Sequence, residues 1–325
     1  MKYGVNTMVW TTRVGKETEP LFLRIKKWGF DGVELFLSPE EPADIPAVKS
    51  VLDRAGLGRT TCSVLPRQAN LVSSQAEVRT TGVEYLKTCA RRTAELGASL
   101  MCGPLHSGLG VMTGTRRTRD EWNWCVEGLG SVAPYARSLG VTLCVEPLNR
   151  FETYFLNTLQ DAARLVREIG EPNVRIHFDT FHANIEEQHP AASLRSVAKE
   201  LGHVHISEND RGIPGTGHND WRGVLLTLKA IGYDGWLTIE SFAQPEPELA
   251  AAAAIWRDLA PSGDALARRG LRFIKHLARE VGVEGEQKAV SSKQKAESRR
   301  QKAEGNSKAK AKGKEARASA RESDP

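Results

Sequence analysis

The sequence predicts a single α/β domain of the (β/α)₈ or TIM-barrel class, on three observations. Eight short apolar or β-branched runs recur between residues 1 and 286. Their starts lie about one βα unit apart, and no Gly-rich dinucleotide fingerprint follows the first run, which favours a closed barrel over a doubly wound sheet. The remaining residues, 287–325, read as a disordered tail rich in Lys, Ala, Ser and Glu.

The runs begin at Lys2 (KYGVNTMVW), Gly32 (GVELFL), Thr60 (TTCSVL), Ser99 (SLMCGPL), Val141 (VTLCVEP), Val174 (VRIHFD), His203 (HVHISE) and Gly235 (GWLTIESF). Start-to-start spacings are 30, 28, 39, 42, 33, 29 and 32 residues. Helix signals fill the gaps: PLFLRIKKWGF has apolar residues at helical spacing, VEYLKTCARRTAELGA stops at Gly97, and TLQDAARLVREIG stops at Gly170 with Thr158 placed to cap its start. The tetrads Gly29-Phe30-Asp31-Gly32 and Gly232-Tyr233-Asp234-Gly235 mark two helix-to-strand turns.

Composition sets the class. Of 325 residues, 40% are hydrophobic and 26% charged, and no apolar run approaches the roughly 18 residues of a membrane span. The start, MKYGVNTMVW, has no secretory-signal pattern. Five cysteines, an odd number without a CxxC pair, indicate neither a disulfide framework nor a zinc ribbon, so a reducing, cytoplasmic setting is expected. The net charge of +5 belongs to the tail: 287–325 carries twelve Lys/Arg against five Asp/Glu, leaving 33 basic and 35 acidic groups in 1–286. A slightly acidic body argues against specific nucleic-acid binding.

In a barrel of this class the pocket lies where the strands end. Run five ends in Glu146, run six in Asp179, run seven carries His205, and run eight ends in Glu240. Acidic side chains at the ends of buried strands need compensation by a cation or by hydrogen bonds. Three carboxylates and one imidazole form an oxygen-rich donor set, suited to one Mn²⁺, Mg²⁺ or Co²⁺ ion. His177 and His203 precede Asp179 and His205 by two residues, so they face inward one layer deeper. His106, His189, His218 and His276 fall in loops or helices and are expected to be solvated. Glu152, His182 and Arg211 follow on the loops leaving these strands and can bind a hydroxyl-rich substrate.

At these residues the sequence resembles the ketose 3-epimerases, the D-tagatose 3-epimerase and D-psicose (D-allulose) 3-epimerase group of xylose-isomerase-like barrels. EPLNRFETYFLNT, HFDTFHANIEE, HVHISENDRGIPGTGH and GYDGWLTIESF carry the likeness in order and spacing, within a match running from Met1 to about Gly282. The resemblance implies that Glu146, Asp179, His205 and Glu240 bind one Mn²⁺ or similar ion. It implies also that Glu152, His182 and Arg211 hold a ketose, and that Glu146 and Glu240 serve as the acid-base pair on opposite faces of C3. Family members are usually dimers or tetramers, so a homodimer or homotetramer is expected, with the apolar stretch Ala250 to Trp256 as one contact. Asn6 stands where several members carry an aromatic that touches the far end of the sugar.

Removing the proton beside a ketone generates an enediolate, and a cation at O2 and O3 stabilises its charge. Inversion needs a second group to return a proton from the other face. Aldose-ketose isomerases, hydroxypyruvate isomerases and inosose dehydratases share a related cradle and are the alternatives within the fold. An endonuclease IV-like hydrolase, suggested by Asp179-x-x-His182 and the basic tail, lacks the early-strand histidines of a three-zinc cluster, since no histidine precedes His106.

Overall fold

The computed structural model describes residues 1–282; the expected disordered tail, 287–325, lies outside the described residues. The chain divides after Leu277, and the unit Met1–Leu277 contains the barrel. Eight parallel strands close in sequence order: β1 (Lys2–Asn6), β2 (Gly32–Phe36), β3 (Gly58–Cys62), β4 (Leu100–Gly103), β5 (Thr142–Val145), β6 (Val174–Asp179), β7 (Leu201–Ile206) and β8 (Trp236–Ile239), with β8 pairing back to β1. The helices are α1 (Glu19–Trp28), α2 (Ile45–Ala55), α3 (Ala76–Glu95), α4 (Arg119–Ser138), α5 (Leu159–Ile169), α6 (Thr180–Glu186), α7 (Pro190–Ser196), α8 (Trp221–Ala230), α9 (Pro247–Ala252) and α10 (Gly263–Glu280). None of the helices among the described residues is long and apolar enough to cross a membrane.

Local chemistry sets the element boundaries. Thr158 Oγ1 accepts the Asp161 N–H at 3.2 Å to start α5, and Gly170, at φ 72°, ends it in the left-handed conformation that glycine adopts without steric cost. Thr118 and Glu121 form a reciprocal cap on α4. At the base of the barrel, a Cβ on Gly32 would sit 2.4 Å from the Gly58 carbonyl oxygen and 2.5 Å from the Trp236 ring, so close strand approach there requires glycine. Strands β3 and β7 begin two residues before the apolar runs suggest, at Gly58 and Leu201, because the small or polar Gly58, Arg59 and Gly202 interrupt the apolar signal. Similarly, α3 begins at Ala76, ahead of its apolar stretch, through the polar segment AEVRTTG.

Candidate active site

The strand-end residues converge as the barrel closes. Glu146 directly follows β5, Asp179 ends β6, His205 lies in β7 and Glu240 directly follows β8. All four are at least nine-tenths buried. Glu146, Asp179 and His205 each offer a donor atom within 4.8 Å of the others, a cluster that could hold a metal ion. Glu240 stands at the edge of this cluster, its Oε1 3.5 Å from His205 Nδ1. Glu146 Oε1 and His205 Nδ1 are buried with no hydrogen-bond partner. Orphaned acceptors on a carboxylate and an imidazole, beside two more carboxylates, fit a divalent cation by donor chemistry.

Arg211 faces the same carboxylates. Its Nη1 donates to Glu240 Oε2 at 2.7 Å and to Asp179 Oδ2 at 3.3 Å, and its guanidinium lies 4.0 Å from the centre of the Phe181 ring. Its backbone is left-handed, φ 62°, which costs energy for any residue with a Cβ and is held by the surrounding loop. That loop is shaped by the buried Glu208, which accepts the Gly215 N–H at 2.7 Å and the Trp221 indole N–H at 3.0 Å. The Gly-rich stretch therefore supplies part of the turn, with Gly215 at φ 89°, but Arg211 itself takes the strained conformation that its side-chain placement requires.

His182 sits between the two groups. The Asn149 backbone N–H donates to its Nδ1 at 3.1 Å, and its Nε2 faces Arg211 Nη2 at 3.2 Å and lies 3.7 Å from Glu146 Oε1. Burial pulls its pKa down and favours the neutral ring. Glu152 is partly exposed on the following loop, with Oε1 accepting from Asn149 Nδ2 at 2.8 Å. Burial, then the charges of Glu240 and Asp179, push the Glu146 carboxyl well above the usual range. Burial pulls Glu240 the same way, but the His205 and Arg211 charges prevail and hold it low.

All seven sequence-predicted site residues come together here, with Asp179 in the cluster but off the cavity lining, its Oδ1 accepting the Phe181 N–H at 2.6 Å. Glu146, Glu152, His182, His205, Arg211 and Glu240 line one cavity of about 100 Å³. The lining also includes the apolar Met8, Phe36, Leu109, Phe242 and Leu249. Asn6 does not line it. It points down into the barrel, where its Nδ2 donates to Glu34 Oε1 at 3.0 Å, and Met8 takes the wall position.

Two expectations need correction or addition. His106 is not solvated; it is fully buried, its Nε2 3.0 Å from the Glu146 carbonyl oxygen, and burial lowers its pKa to about 4. His189, His218 and His276 are exposed, as expected. Glu34 is invisible to strand-end reasoning because it lies mid-strand, yet it is fully buried beneath the site, hydrogen-bonded to His205 and 2.8 Å from His203 Nε2. Its signal was an acidic residue inside the apolar run GVELFL.

Residues 22–276 match the xylose isomerase-like TIM barrel family. A probable ketose 3-epimerase from Synechocystis sp. is 32% identical over 275 residues, covering 85% of this chain and 96% of its own. The chain belongs to the ketose 3-epimerases. It is therefore an enzyme of the isomerase class. An L-ribulose 3-epimerase from Mesorhizobium japonicum is 34% identical, with 84% and 93% of the two chains covered. Among solved structures, a D-allulose 3-epimerase from Methylomonas sp. in complex with D-allulose superposes with a TM-score of 0.81 at 30% identity, covering 85% of this chain and 96% of that one.

Proposed function

We propose that this enzyme inverts C3 of a free ketohexose or ketopentose of the D-tagatose, D-psicose/D-fructose or L-ribulose type. The observation that carries the reading is that Glu146 and Glu240 face one cavity also lined by His182, Arg211 and Glu152. One carboxylate takes the C3 proton and the other returns one from the opposite face. Arg211 and His182 bind and orient the sugar's oxygens, and Glu152 accepts from a hydroxyl. The apolar wall at Met8, Phe36 and Leu249 excludes water from the reacting face.

Glu146, Asp179, His205 and Glu240 would hold one divalent ion, Mn²⁺ first, with Mg²⁺ or Co²⁺ as alternatives. When bound, such an ion acts as a Lewis acid on the ketone and stabilises the charge that develops beside it. The buried free thiols Cys62, Cys89, Cys102, Cys125 and Cys144 support a cytoplasmic setting, and exposed Phe151 and Trp256, 76% and 78% accessible, support a homodimer or homotetramer.

The test incubates metal-stripped protein with D-tagatose, D-psicose, D-fructose and L-ribulose before and after Mn²⁺ is restored, and resolves the products by chromatography. C3 epimers appearing only with metal are the expected result. No epimer from any sugar overturns the activity, and full turnover after exhaustive chelation overturns the metal.

A further inference from the structure

A buried carboxylate lies one layer below the cavity and takes no part in the mechanism above. Glu34 is fully buried and absent from the cavity lining, so no sugar reaches it. Strand register aligns it with Asn6 on β1 and Thr60 on β3. Asn6 Nδ2 donates to its Oε1 at 3.0 Å, while Thr60 Oγ1 and the Cys102 thiol donate to its Oε2 at 2.8 and 3.3 Å. These contacts fix the carboxylate from its own side of the barrel. On the far side its Oε2 lies 2.8 Å from His203 Nε2, and its Oε1 lies 2.6 Å from His205 Nε2.

The last contact has a chemical consequence. With Nε2 engaged by Glu34, the nitrogen left to His205 is Nδ1, which lies 3.6 Å from Asp179 Oδ2 and 3.5 Å from Glu240 Oε1. A histidine that binds a metal through one nitrogen is oriented, and made a better donor, by a carboxylate on the other. We propose that Glu34 is a positioning residue that sets which nitrogen and which ring orientation His205 offers to the divalent ion. This rests on the metal reading of the site given above. Asn6 then acts through Glu34: the side chain at that position supports the floor of the site rather than the sugar.

The experiment measures Mn²⁺ affinity of the metal-stripped full chain from the free-ion electron paramagnetic resonance signal, for wild type, Glu34→Gln, His205→Asn and the double variant. Glu34→Gln should weaken Mn²⁺ binding about 10- to 100-fold, the range for loss of such a partner. In the His205→Asn background the same change should add less than about twofold, because the residue it acts through is gone. An unchanged affinity in Glu34→Gln, or an effect as large without His205 as with it, overturns the proposal while leaving the metal site intact. Wild type taking up no Mn²⁺ overturns the metal reading and this proposal together. Should Glu34→Gln not fold, Thr60→Val, which keeps the carboxylate and removes one bond to it, is read instead: weakening of about threefold or more supports the role, and wild-type affinity overturns it.

Discussion

The two halves of the barrel are made of the same βα unit and do different work. At the ends of β5, β7 and β8, Glu146, His205 and Glu240 line the cavity, with Asp179 of β6 clustered beside Glu146 and His205, whereas β1 to β4 lead to Met8, Phe36, Cys62 and Gly103, which give the cavity an apolar wall. Ionisable groups concentrated on one side can bind an ion and move a proton, while the apolar side shapes the space and keeps water out. The division is a matter of depth as well as of side. The first half does contribute a carboxylate, Glu34, but one layer down, where it supports His205 from across the barrel.

The sharpest way to break this comparison is to neutralise one carboxylate on the reactive half. Glu240→Gln keeps the shape of the side chain, removes its charge and its proton-transfer capacity, and should lower kcat about 10³-fold, within the range for a lost acid-base group. The loss should be of similar size in both directions, measured on each epimer separately, because the same pair works whichever hand is substrate. A variant retaining more than a tenth of wild-type kcat would remove Glu240 from the acid-base pair.

Changes on the apolar half should move binding instead. Met8→Ala widens the cavity without touching a charged group, so KM for the preferred ketose should rise about fivefold with kcat within twofold of wild type, the signature of lost uniform binding. A collapse of kcat with unchanged KM would mean that the wall positions reacting atoms, and the two halves would no longer be functionally distinct.

How far the sequence reveals this site depends on whether its contacts are local along the chain. Glu146, Asp179, His205 and Glu240 are legible because each sits at or near the end of an apolar run, and a closed barrel brings all strand ends to one mouth. Glu34 is not, because its meaning lies in register: only pairing across β1, β2 and β3 puts Asn6 and Thr60 beside it, and only closure puts His205 opposite. His106 misleads for a related reason. It follows β4 in a stretch that looks like surface loop, but the Glu146 carbonyl and Ser107 hydroxyl satisfy its ring nitrogens and let it be buried. The left-handed backbone of Arg211 is equally hidden, since the neighbouring glycines are the residues for which such a φ is expected.

The smallest effect is expected from the thiols, four of which, Cys62, Cys89, Cys102 and Cys125, fall before β5. Burial pushes Cys89 up to about 12, and burial together with the Glu34 and Glu240 charges raises Cys62, although it lines the cavity. A thiol raised in the folded state stays protonated as pH climbs past its ordinary value, so native protein at pH 8 offers almost no thiolate to an electrophile. Iodoacetamide at pH 8 should therefore leave both intact mass and activity unchanged over a time in which denatured protein takes up all five equivalents. By the same linkage, stability is fully present below about pH 8.5 and declines as pH rises toward 12, because the unfolded chain releases these protons first. Rapid single alkylation of native protein with loss of turnover, mapped to Cys62 by peptide mass spectrometry, would show that the first half of the barrel carries reactive chemistry after all.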